Sequence, residues 1–342
     1  MATTQADERG VPFAVAHEMQ HFRLLELPPE VVELIDTGPP GTARLTIKSQ
    51  APSATGASPA YAVLCTPNKT FQLRQVQTSN SLFVTRPALE AQGDEIPVPA
   101  TRAIASCTAT LELHPSDGSP VAYLDDVLPV YDLVDGDVDA AGNGKSKAAI
   151  FSHMPLSEGQ CEQAWKDMMA FEFAGSSYRP SANTLIQVWK SINSAAQAQG
   201  IKLDSQFLVE DICEDVSEEG HPVTLVKAIL YYLAADEQGK GGWSILHRSR
   251  TVQFVGQNLL EAKREGPDYL TSDFIDVWKD LLPETFRNEA ELNAISGTFD
   301  TPSSSTIRSK ITALAKSAET SAPKAASASR KWHERFGRAR QR

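Results

Sequence analysis

The residues that come nearest to chemistry are Gly142-Asn143-Gly144-Lys145-Ser146, which carry the ending of a phosphate-binding loop. Such a loop needs a glycine five positions before its second glycine, so that backbone N–H groups can close on the phosphates. Asp139 stands there, and Asp132, Asp135 and Asp137 add negative charge where phosphates would lie. The segment reads as a linker. A nucleotide-dependent enzyme working through Lys145 remains a third-ranked alternative. Gly239-Lys240-Gly241-Gly242 is a turn before a strand, and its spacing matches no dinucleotide fingerprint. His17 and His21, four residues apart, would share one helix face, but no neighbouring third ligand completes a metal site. Asp125-Asp126 and the group Asp211, Glu214 and Asp215 read as charged faces and helix ends rather than a glycosidase pair. No G-x-S-x-G elbow is present. The expectation is a chain with no catalytic residues, no cofactor and no metal: not an enzyme, but a binding or structural protein.

Cys65, Cys107, Cys161 and Cys213 are widely spaced, form no CxxC pair and sit among apolar neighbours. Buried, reduced thiols are expected, as in cytoplasm or nucleus. The chain has 342 residues, 41% hydrophobic and 22% charged, enough for two or three domains with their own cores. Its net charge of −11 is uneven: residues 302–342 carry ten Lys/Arg against two Asp/Glu, so the body is strongly acidic. An acidic body does not attract nucleic acid over its whole surface, whereas a basic tail can touch phosphates or simply be solvated. The polar first ten residues and the lack of an apolar run long enough for a membrane predict a soluble intracellular protein with no membrane association.

These residues must be held by two kinds of element. The first half is β-rich. A strand into Leu27 precedes a helix over 29–36; strands follow at 44–48, 61–65, 70–76, 81–85 and 103–113, and Pro67-Asn68-Lys69 supplies a hairpin turn. Residues 134–148 are polar and Gly-rich, and beyond them the apolar period changes from two to 3.6. Ser157 and Gln160 form a capping box, with Cys161, Trp165, Met168 and Phe171 on the face behind it. Further stripes are Leu185, Val188, Trp189 and Ile192, then Phe207, Leu208, Ile212 and Val216, then Val226, Ile229, Leu230 and Leu233. Val252, Val255 and Leu259, then Phe274, Val277, Trp278 and Leu281, mark two more helices, and Ile307, Ile311 and Leu314 another. Helices alternating with short hairpins suit winged-helix modules.

Residues 61–84 carry a more specific pattern. The strand Ala62–Cys65 leads through Asn68-Lys69-Thr70 to Phe71, Leu73 and Arg74, then to Thr78-Ser79-Asn80. This order resembles the sister chromatid cohesion protein Dcc-one family, as do Leu24–Leu27, Leu45–Lys48 and, more loosely, the layout to about residue 300. The resemblance implies a non-catalytic scaffold subunit of an alternative replication factor C, the cohesion clamp loader, in the nucleus. Its N-terminal region would complete a triple-barrel module with the large ATPase subunit and a small subunit, and that module with a neighbouring winged helix would dock on the catalytic subunit of DNA polymerase epsilon. The expected fold is α+β, an N-terminal β-rich partial barrel followed by tandem winged-helix domains.

The domains expected are a lead-in at 1–20, a partner-binding domain at 21–133, a linker at 134–149, a first winged helix at 150–200, a further winged-helix region at 201–300 and a basic tail at 301–342. Partner contacts are assigned to Leu64, Cys65, Phe71, Leu73, Arg74, Leu82 and Phe83. The family continues past a K-W motif into a final winged helix. Here ten residues follow Lys331-Trp332, so that module is expected to be absent, leaving Arg330, Lys331, Arg335, Arg338, Arg340 and Arg342 for nonspecific phosphate contact. The alternative reading is a free-standing winged-helix DNA-binding regulator, but residues 184–196 carry only Lys190 and residues 224–233 only Lys227.

Overall fold

The structure, a computed structural model, describes residues 11–37, 44–49, 62–91, 97–133, 144–235, 242–264 and 266–310. It is mixed α and β, and it divides into two compact units. One comprises Met1–Tyr123 with Lys147–Ala164, the other Leu124–Ser146 with Trp165–Arg342.

The first unit is built on β1 (Phe13–Val15), β2 (Leu24–Leu25), α1 (Pro29–Thr37), β3 (Thr46–Ser49), β4 (Ala62–Cys65), β5 (Thr70–Glu90) and β6 (Val98–Pro115). These strands form one curled half-barrel sheet in the order β1-β6-β5-β4-β3, with β2 also on β6. The turn expected at residues 67–69 joins β4 and β5, with Cys65 opposite Thr70. Strands expected separately at 70–76 and 81–85 are one long strand, because a register shift between Gln77 and Leu82 absorbs the irregular step. Phe13–Val15, within the expected lead-in, pairs in parallel with Thr101–Ala103. Helix α1 begins on a proline, where the missing N–H costs nothing, and lays Val31 on Leu64 and Phe71. Leu27, Leu45, Leu73 and Leu113 surround that small core.

Beyond β6 the chain runs through α2 (Pro120–Val127) and β7 (Val130–Tyr131) to α3 (Lys147–His153) and α4 (Glu158–Asp167). The start of α4 is fixed by the expected capping box: the Gln160 N–H donates to Ser157 Oγ at 3.3 Å. The reciprocal bond is altered. The Ser157 N–H donates instead to Thr70 Oγ1 (2.7 Å), whose hydroxyl donates to Gln160 Oε1 (2.7 Å). The first residue of β5 thus satisfies a helix end 87 residues away. Gly159 closes the same contact, its N–H donating to Pro67 O at 2.8 Å, and a Cβ there would lie 2.4 Å from Asn68 Oδ1. Lys48 secures the other side, donating to Leu156 O at 2.8 Å and Phe151 O at 3.4 Å.

Thr70→Val keeps the shape but orphans the buried Ser157 N–H. A loss of about 1–3 kcal/mol is expected. Urea denaturation checks this, with Thr70→Ser holding near the wild-type midpoint.

In the second unit, β7, β8 (Phe171–Phe173) and β9 (Ser176–Pro180) make a sheet in the order β7-β9-β8. Met169 at φ 50 ends the helical path, so Phe171, expected on the helical face of Cys161 and Trp165, lies on a strand instead. Ala174 and Gly175, both with positive φ, form the two-residue turn between β8 and β9. Next come α5 (Ala182–Gln199), β10 (Phe207–Leu208), α6 (Val209–Glu218), α7 (Val223–Leu233) and β11 (Trp243–Ser244), with β10 and β11 paired. The stripe expected to start at Phe207 therefore divides between a strand and a helix.

The last group is α8 (Arg248–Ala262), β12 (Tyr269–Leu270), α9 (Thr271–Asp280), 3-10 turns at Glu284–Glu289 and Leu292–Ile295, then β13 (Phe299–Ser303) and β14 (Thr306–Ser309). The helix expected around Ile307 is a strand: Ile307 pairs with Tyr269, and the polar turn between β13 and β14 favours a hairpin. Ile311 and Leu314 lie outside the described residues. Trp189 and Trp278 are fully buried, and their indole N–H groups donate to Leu281 O (2.8 Å) and Val252 O (3.0 Å).

Candidate partner-binding surface

The residues weighed above for chemistry have other structural roles among the described residues. Gly144 N–H donates to Ser176 Oγ at 3.2 Å and Lys145 O accepts from the Ser177 N–H, so these backbone groups are tied to β9 rather than to an anion cradle. His17 and His21 lie in a non-helical segment, which removes the shared helix face. Asp125 pairs with Arg179 at 3.2 Å, and Asp215 accepts from Gln199 at 2.5 Å. Ser191 Oγ lies 3.1 Å from His221 Nε2 and also donates to Glu219. An acyl-transfer triad needs the carboxylate on the far ring nitrogen. Here His221 Nδ1 is buried without a partner, and burial holds the imidazole below its ordinary pKa. All four cysteines are free and buried as expected; burial pushes the Cys65 thiol up and takes Cys161 and Cys213 to about 11.

The unusual chemistry is apolar and lies on the half-barrel. Strand β3 pairs with β4 through Thr46↔Cys65 to Ser49↔Ala62 and ends the sheet among the described residues. Ile47, Leu64 and Phe71 fall in one cross-strand row. Helix α1 covers the inner two, while Ile47 is 69% exposed. Farther along the β5–β6 ribbon, Leu82 is 56% exposed opposite buried Cys107, and Phe83 is 50% exposed opposite Ser106. Phe83 meets exposed Phe13 edge to face at 6.0 Å. Val15, Leu89 and Val98 are exposed as well. Small residues of β6, Ala103 and Ala105, are fully buried between β1 and β5, so the bulky side chains of the ribbon are the ones left uncovered.

Charges frame these apolar groups. Arg102 pairs with Glu90 at 2.5 Å, which relieves the directly opposed Arg86 and Arg102. Arg74 lies opposite Glu112, and Lys69 pairs with Glu30.

The residues assigned to partner contact fall into two groups. Leu64, Cys65 and Phe71 are buried inside the unit; Leu73 is half-buried; Arg74, Leu82 and Phe83 are exposed. Exposed apolar residues that sequence reasoning did not single out are Phe13, Val15, Ile47, Leu89 and Val98. The period-two alternation of Val11, Phe13 and Val15 was a signal for the first two. Arg330, Lys331, Arg335, Arg338, Arg340 and Arg342, assigned to phosphate contact, lie outside the described residues.

No curated protein matches the chain at a significant level. A family model described as sister chromatid cohesion protein Dcc1 matches residues 22–325. That span takes in both units, from β2 past β14. Matched over nearly its whole length, the chain belongs to the sister chromatid cohesion protein Dcc1 family, which carries a role in sister chromatid cohesion.

Proposed function

We propose that this protein is a non-catalytic scaffold subunit of the cohesion clamp loader, a replication factor C-like complex acting in DNA replication in the nucleus. Its half-barrel would be completed by strands of the large ATPase subunit and the small subunit. The assembly would then join the clamp loader to the catalytic subunit of DNA polymerase epsilon. The observation that carries this reading is that β3 ends the sheet among the described residues while Ile47, Leu82, Phe83 and Leu89 are left uncovered. A free edge and uncovered apolar side chains both invite an added strand, which supplies main-chain hydrogen bonds and apolar side chains together.

The second unit is proposed to consist of winged-helix modules. The order α8, β12, α9, 3-10 turns, β13, β14, with β12 antiparallel to β14, supports it. Nonspecific DNA contact is assigned to the basic tail rather than to these helices. Lys227 is engaged with Glu210 at 2.6 Å, leaving little free positive charge on α7.

Co-expression of the full chain with the small subunit and the C-terminal segment of the large ATPase subunit tests the proposal. A stable three-part complex on size exclusion is the expected result. A chain that elutes as a well-behaved monomer and ignores both partners would overturn it.

A further inference from the structure

Three Ser/Thr-Pro pairs fall among the described residues: Thr66-Pro67, Ser119-Pro120 and Thr301-Pro302. Their hydroxyls differ sharply in availability. Thr66 is buried, its hydroxyl donating to Lys69 O at 3.2 Å and accepting from the Lys69 N–H at 2.9 Å. Ser119 Oγ accepts the Ala122 N–H at 3.2 Å and caps α2. Thr301 is exposed on β13, an outer strand of its sheet. It lies in the gap where the register with β14 breaks, between Asp300↔Arg308 and Ser303↔Thr306. Extended backbone, an outward edge and an unpaired position coincide there. Pro302 fits the same gap because its missing N–H breaks no ladder bond.

We propose that Thr301 is a phosphorylation site for a proline-directed Ser/Thr kinase. Such an enzyme takes its substrate as an extended strand with proline after the acceptor, the form this segment already has. In the step, Thr301 Oγ1 bonds to the γ-phosphorus of ATP as the bond to the leaving ADP oxygen breaks. The hydroxyl proton passes to the kinase's catalytic carboxylate. The new phosphate carries nearly two negative charges beside Asp300, and it competes for Lys310, which lies 4.0 Å from that carboxylate. Arg308, already paired with Asp268, is the second cation on the hairpin. Modification therefore turns the face of β13 and β14 from balanced to acidic.

The test incubates the folded full chain with a purified proline-directed kinase and ATP and maps phosphate by mass spectrometry. Phosphate on Thr301 is expected, with none on Thr66. Thr301→Ala should lose that phosphopeptide, and Pro302→Ala should lose most of it. Both changes lie on an exposed strand and leave the fold intact, which thermal melting verifies. The proposal is overturned if Thr301 stays unmodified in the folded chain, whether or not a synthetic peptide of residues 295–308 is phosphorylated. Labelling of Pro302→Ala at the wild-type rate would overturn it equally.

Discussion

Replacing Gly256 with alanine is expected to destabilise the second unit by about 2 kcal/mol, although alanine is the better helix former by roughly 1 kcal/mol. Gly256 lies within α8, and a Cβ there would lie 2.5 Å from Cε2 and Cζ2 of Trp278. The ring cannot retreat. It is fully buried, and its N–H is held by Val252 O at 3.0 Å on the same helix. Steric cost therefore exceeds the propensity gain. Trp278→Ala should cost more, about 3–5 kcal/mol, through the cavity and the lost packing. The two sites should couple: Gly256→Ala combined with Trp278→Leu is expected to be scarcely worse than Trp278→Leu alone, since the clash is gone. Urea denaturation of the four proteins checks the cycle. A midpoint for Gly256→Ala above wild type would show that the ring is free to move.

The largest effect on binding is expected from Phe83→Asp and Leu82→Asp. Both side chains are half exposed, so a charge there perturbs the isolated chain little; losing the edge contact of Phe83 with Phe13 costs about 1 kcal/mol. At a partner interface the same charge would be buried without a counterion. A central aromatic anchor contributes about 2 kcal/mol or more, so the loss of affinity should reach at least about 30-fold. Co-purification with the small subunit and the large subunit's C-terminal segment measures it. Leu64→Asp is the informative contrast. Leu64 lies in the small core beside Val31 and Phe71, so its replacement should unfold the first unit before binding can be read. Wild-type affinity in Phe83→Asp would count against the proposed partner surface at Leu82 and Phe83.

Much of this fold follows from local rules. Period-two alternation in 70–76 and 103–113, turn chemistry at 67–69 and the Ser157–Gln160 box act over a few residues, so they are present in the sequence itself. The same holds for Leu185, Val188, Trp189 and Ile192, which share one face of α5 by the 3.6-residue period and are buried there. The order of residues in 61–84 also pointed to the family that the match over 22–325 then established.

What the chain's own order could not decide was which face would be covered. Local pattern marks Leu64, Phe71, Leu82 and Phe83 alike as apolar strand residues, although the neighbours Leu82 and Phe83 point to opposite faces of β5. Burial separates them only because α1 reaches the near end of the sheet and stops short of the far end. Nor does local pattern bring residues 147–164 back to β4 and β5, a contact made by Thr70, Gly159 and Lys48 across long separations in the chain. The sequence by itself determined the β4–β5 turn, the capping box, the buried face of α5 and the family, because these depend on side-chain chemistry at short range. Tertiary structure alone decided that Leu82 and Phe83 are uncovered while Leu64, Cys65 and Phe71 are not, because burial depends on which distant segment arrives to cover each strand.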